Sequence, residues 1–99
     1  MIFSLKGIVQ ELTPTYVVIE VNGVGYYVGI SLQTSQRLSL GKEVFLFTQQ
    51  IIREDAHLLF GFYTKEEKEM FNLLISVNGV GAVSALILLS SLVLKYIAL

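Results

Sequence analysis

At Thr64 the chain changes its period, and no other feature constrains its fold as much. Before Thr64, apolar residues alternate or run in short β-branched and aromatic bursts; after it they recur at helical spacing. This rhythm predicts a β unit over residues 1–63 and a helical unit over residues 64–99, with almost no linker between them. Two units joined so tightly should be mechanically coupled.

Within the first unit five strands are expected. Ile2 to Leu12 alternates loosely, with Phe3, Leu5 and Val9 on one face, Ser4, Lys6 and Gln10 on the other, and Ile8 breaking the pattern. Thr13-Pro14-Thr15 is a turn, and Tyr16 to Val21 is β-branched and aromatic. Asn22-Gly23 is a strong hairpin signal, because both central residues of a type I′ turn need positive φ. Tyr26 to Ile30 returns. Ser31 to Leu40 is polar with spaced leucines and reads as a helical turn, and Gly41-Lys42 turns again. Val44 to Ile52 and His57 to Phe62 complete the set on either side of Arg53-Glu54-Asp55. Five short strands closing on themselves predict a small β barrel of the OB fold.

Thr64-Lys65-Glu66-Glu67 has the form of a capping box, with Thr at the N-cap and Glu at N3. Met70, Phe71, Leu74 and Ile75 then follow at helical spacing, and a first helix is predicted from Lys65 to Val77. Asn78-Gly79 should stop it, and a second helix should run from Ala82 onward. No charge falls between Met70 and Leu94, a run longer than the ~20 residues a membrane span requires. Asn78, Gly79 and Gly81 interrupt that run at a turn dipeptide, so two helices with a hairpin fit better than one span.

The tetrapeptide Asn-Gly-Val-Gly occurs at Asn22 to Gly25 and again at Asn78 to Gly81. The first copy lies between strands and reads as a hairpin turn. The second lies between helices, the layout of a small all-α helix-hairpin-helix element. Its glycines let backbone approach a phosphate closely and adopt positive φ. Free N–H groups of Asn78, Gly79, Val80 and Gly81 and the start of the next helix would point at that phosphate, with Val80 tucked between the helices. An ordinary turn between packed helices would use the same residues.

The near-neutral charge of −1 speaks against bulk electrostatic attraction to nucleic acid, so a DNA contact would need backbone donors or an uneven charge layout. There is no cysteine, hence no disulfide and no thiolate metal site. Glu54 and Asp55 alone are too few ligands for a metal, no nucleophile accompanies them, and the single His57 has no evident partner. No catalytic residue, metal or cofactor is expected, and no phosphate loop of the GxxxxGK[ST] type occurs. The start at Met1 lacks a secretory signal pattern, which predicts a cytoplasmic protein.

Ile52-Arg53-Glu54-Asp55-Ala56-His57-Leu58-Leu59-Phe60-Gly61-Phe62 resembles the most recognisable stretch of the RuvA family, where Arg-Glu-Asp-Ala leads into a Leu-aromatic-Gly-Phe strand. Gly23-Val24-Gly25-Tyr26 resembles a second landmark of that family, and Lys65 to Phe71 followed by Asn78-Gly79-Val80-Gly81 resembles a third. The landmarks keep the family's order and spacing, from Met1 to about Leu92.

The resemblance implies a non-catalytic subunit that binds four-way (Holliday) junction DNA during recombination and repair. It implies an OB domain assembling into a flat homotetramer, with an octamer the alternative, and helix-hairpin-helix elements gripping the duplex arms. Glu54 and Asp55 match the family's acidic pin, and the motor is a separate ATPase, RuvB. Around a four-fold axis the pin carboxylates would repel phosphate at the crossover over ~8 Å at physiological salt. Two departures stand out. Ala82-Val83 replaces the family's usual Pro-Lys after the hairpin, and Val93 to Leu99 fits the family poorly. The family's second hairpin element and motor-contacting domain are expected to lie outside these residues. Two rival readings are a single-strand-binding OB module using Tyr16, Tyr26, Tyr27 and Phe45, and a membrane-anchored β-domain using Met70 to Leu94.

Overall fold

The structure, a computed structural model, describes residues 1–97, with side-chain surroundings through Ser91. Five strands, β1 (Ser4–Leu12), β2 (Tyr16–Val21), β3 (Val24–Ile30), β4 (Glu43–Ile52) and β5 (His57–Phe62), close a barrel in the order β1-β2-β3-β5-β4. A short helix, α1 (Leu32–Arg37), bridges β3 and β4. Helices α2 (Lys65–Ile75) and α3 (Ala82–Ile97) follow the barrel. The architecture is that of an OB barrel with a small helical segment packed on it.

Closure depends on β1. Its first half, Ser4 to Ile8, pairs with β4, and its second half, Ile8 to Leu12, pairs with β2. A bulge between Val9 and Glu11 bends the strand as it passes from one partner to the other. The opposite seam is a short parallel pairing of β3 with β5, Gly29 with Phe60 and Ile30 with Gly61. Gly61 makes that seam possible: a Cβ there would stand 2.7 Å from Val28 Cγ1 and 3.1 Å from Leu46 Cδ1. The Asn22-Gly23 turn is the expected hairpin, with φ of 51° and 89° at its two central residues. Val21 pairs directly with Val24, so β3 begins two residues before the expected Tyr26.

Inward alternation fills the barrel with Leu5, Val9, Val17, Ile19, Val28, Ile30 and Leu46, and Leu38 closes one end. Phe3, expected to share the face of Leu5 and Val9, is instead 60% exposed. It precedes β1 and escapes that strand's alternation. Its ring lies against Phe47, with the Lys68 ammonium 3.9 Å above it.

β5 is apolar on both faces because both are covered. Leu59 turns into the barrel, whereas Phe60 and Phe62 turn out to meet Phe71 of α2, with centroids 5.3 and 4.9 Å apart. Ala82, Ala85, Leu86 and Leu89 bring one stripe of α3 onto the same cluster. Thus the helices are mounted on the barrel through aromatic packing rather than hung from its end.

Among the described residues, no helix is long and apolar enough to cross a membrane. The uncharged run from Met70 is split between α2 and α3 by the turn at Asn78-Gly79. The poorly matching stretch Val93 to Leu99 lies beyond the described side chains.

Candidate nucleic-acid interface

α2 begins as its first residues dictate. Thr64 Oγ1 accepts from the Glu67 N–H at 3.2 Å. The other half of the expected capping box is not made between these residues, because the Glu67 carboxylate accepts hydrogen bonds from Ser31 Oγ at 2.9 Å and Thr34 Oγ1 at 2.6 Å. The helix ends at Ile75, two residues before the expected Val77. The Ser76 hydroxyl donates to Leu73 O at 2.6 Å, and the Ser76 N–H is shared between Asn72 O and Leu73 O. A serine competing for its own helix's carbonyls tightens and closes the last turn.

Residues 76–81 then connect α2 to α3, with the reversal at Val77 to Val80. Gly79 has φ of 85°, a left-handed conformation that side chains resist. Gly81 does not share it, although positive φ was expected at both glycines. Nothing lies within 4 Å of a Cβ placed at either position, so Gly81 faces open space. The Val80 N–H closes the turn on Val77 O at 3.2 Å and so is not free, contrary to expectation. Val80 itself is half-buried against the core shared with Phe71 and Ala82, as its apolar side chain requires. Asn78, Gly79 and Gly81 are exposed. Among the described residues, the N–H groups of Asn78, Gly79, Gly81 and of Ala82 to Ser84 at the start of α3 find no protein acceptor. Gly81 O accepts from Ala85 N at 2.9 Å and starts the α3 ladder. These donors without a protein acceptor lie at the N-terminal, positive end of the α3 dipole, where an anion is favoured.

Glu54 and Asp55 form the tip of the β4–β5 hairpin. Arg53 N–H donates to Ala56 O at 2.8 Å and closes a four-residue turn, leaving both carboxylates exposed. Ile51 and Leu58, a pair just below this tip, pack on the same cluster as Val80. The acidic tip and the glycine hairpin therefore rise from one core. No described group of acidic and histidine side chains could hold a metal ion. His57 is exposed at the base of the acidic turn.

The aromatic residues of the single-strand reading are dispersed. Tyr16 and Tyr27 stack at 4.4 Å, and Tyr16 donates its phenolic hydrogen to Glu11 at 2.6 Å. That hydrogen bond and the Glu11 charge push the Tyr16 phenol above its ordinary value of about 10. Tyr26 packs against the barrel core, and Phe45 lies on a different pair of strands, edge-on to Phe47 at 5.1 Å. Aromatics on separate faces do not make one stacking track. Sequence reasoning missed Glu67, Ser31 and Thr34 as partners; they stand 33 and 36 residues apart, and no local pattern marks them.

The parts define a class: an OB barrel that carries an exposed acidic hairpin, with a helix-hairpin-helix element packed beside it. Residues 1–61 match the family model described as RuvA N terminal domain, and the chain belongs to that family. It is 51% identical over 92 residues to the Holliday junction branch migration complex subunit RuvA of Christiangramia forsetii, covering 93% of this chain and 48% of that one. The protein of the same description from Neisseria meningitidis is 54% identical over 93 residues, again 93% and 48%. That from Flavobacterium psychrophilum is 53% identical over 97 residues, 98% of this chain and 50% of the relative. The chain thus spans about half the length of the curated relatives it matches.

Proposed function

We propose that this chain supplies the junction-binding part of a Holliday junction branch migration subunit, acting in the cytoplasm on four-way DNA. Residues 1–63 serve assembly into a homotetramer and form the junction core; residues 64–99 carry part of the arm grip. The observation that carries this reading is the pairing, on one core, of an outward donor cluster with an outward acidic tip. One attracts phosphate and the other repels it.

The arms would be held at phosphate, through the N–H groups of Gly79, Gly81 and the first turn of α3. Such contacts are blind to sequence, as a moving junction requires. No cation lies between Ser76 and Leu94, so backbone donors bear the whole contact there. At the crossover, Glu54 and Asp55 from four copies would oppose strand phosphates and keep the junction open and square. Strand movement would be driven by the separate RuvB ATPase; this chain has no phosphate loop of its own.

The double variant Glu54→Gln, Asp55→Asn tests the division of labour. Both residues are exposed, so stability should change by less than about 0.5 kcal/mol. Removing the charges should tighten binding to both DNAs, more so to linear duplex, and should thereby reduce the preference for four-way DNA. The readout is binding to a junction and to linear duplex at matched salt. Unchanged affinities on both would reject the pin role.

A further inference from the structure

We infer that Glu67 is a positioning residue, which locks the helix-hairpin-helix segment to the barrel and fixes where the hairpin presents its donors. Its effect on DNA rests on the proposed function; its effect on geometry does not.

The side chain sits where three elements meet. Its carboxylate accepts from Ser31 Oγ at 2.9 Å and Thr34 Oγ1 at 2.6 Å, both at the start of α1. Ser31 and Thr34 are buried, at 1% and 0% exposure, so these hydroxyls have little water to fall back on. Ser31 is itself the N-cap of α1, its oxygen accepting from Thr34 N–H at 3.3 Å. Thr34 Oγ1 also accepts from Tyr63 N–H at 3.3 Å, at the junction leading into α2. Glu67 therefore ties α2 to α1 through its side chain, while its own N–H is held by Thr64.

The second helix of the hairpin is tied to the same place. Leu32 N–H donates to Ser90 Oγ at 3.1 Å, and Gln33 Nε2 donates to Leu89 O at 2.7 Å. α1 is thus bonded to both helices of the hairpin. Apolar packing of Phe71 on Phe60 and Phe62 holds the helices against β5 but is non-directional. The hydrogen bonds add direction, and charged acceptors make the strongest of them. A full Thr64–Glu67 capping box would serve α2 alone. Diverting the carboxylate to α1 gives up part of that local cap and fixes an angle between segments.

The chain has no cysteine, so Gln10→Cys and Val77→Cys, one on the barrel and one beside the hairpin, can carry paired spin labels without competition. With labelled chain diluted in unlabelled, the distance distribution should be narrow in the parent and clearly broader with Glu67→Ala. Glu67→Gln should recover part of the narrowing, since its amide oxygen still accepts one hydroxyl hydrogen. Thr34→Val removes one hydroxyl from the other side and should also broaden the distribution, keeping the test available if Glu67→Ala does not fold. A residue needed only for stability would lower the melting temperature and leave the distribution as narrow as before. That result, in folded Glu67→Ala or Thr34→Val, overturns the inference.

With DNA, Glu67→Ala should reduce the preference for four-way over linear duplex by about tenfold, the scale of a typical coupling between sites. Affinity for linear duplex should hardly move, because one arm can be gripped at any angle. A broadened distribution with an unchanged junction preference would overturn the link to DNA. A parent with no junction preference would overturn the proposed function instead, and the distance measurement would still decide the positioning role.

Discussion

Gly79 and Gly81 look equivalent in the sequence and are not equivalent in the fold. Gly79 needs its positive φ, so Gly79→Val should cost about 1–3 kcal/mol of backbone strain. Gly81 has ordinary backbone and open space around it, so Gly81→Val should fold nearly as well as the parent. If the hairpin meets phosphate, Gly81→Val should nonetheless weaken DNA binding, equally for all sequences, because a side chain now stands between backbone and phosphate. Thermal melting and binding to several unrelated sequences separate the two glycines. A Gly81→Val protein that binds as tightly as the parent would mean that the hairpin is only a turn. The Asn22-Gly23 turn was legible from its residues alone, since its positive φ values are local requirements. The different roles of Gly79 and Gly81 were not, because φ at a hairpin depends on how the two helices pack.

Among the elements, the strands and the helix break could be read from period, whereas the attachments could not. The period-2 bursts and the Thr64 cap placed β2, β5 and the start of α2 directly. Phe3 was misplaced because alternation was extended back past Ser4, the first residue of β1; its carbonyl still accepts from Thr48 N–H of β4, but its ring lies outside the core. The early end of α2 follows from the Ser76 hydroxyl, a competitor that apolar spacing does not register. Glu67 fitted a capping box by type and position, yet its carboxylate found buried hydroxyls on α1, a choice made only by tertiary packing. On α3, Val83 is 67% exposed at the second helical position, beside the donor cluster. Val83→Lys should therefore add a cation facing phosphate, tighten DNA binding and steepen its salt dependence by about one counterion. A salt slope identical to the parent's would place the DNA away from the start of α3.

At the scale of the whole molecule, a chain of net charge −1 is read as a DNA-binding protein. Attraction and repulsion are separated in space, so total charge says little about either. The donors of the hairpin are uncharged N–H groups, and the acidic residues stand at an exposed hairpin tip. Family membership was legible because the acidic turn and the glycine hairpin each carry a local signature. Their common core was not, because Ile51, Leu58 and Val80 come together only when β5 packs against the helices. The central claim, a preference for four-way DNA, is tested most directly by competition. Labelled four-way junction is bound by the unaltered chain, then challenged with unlabelled junction or with linear duplex of the same total sequence, at one salt concentration. Displacement by junction at concentrations well below those needed for duplex is the predicted result. Equal displacement by the two DNAs, or stronger displacement by their separated single strands, would contradict it.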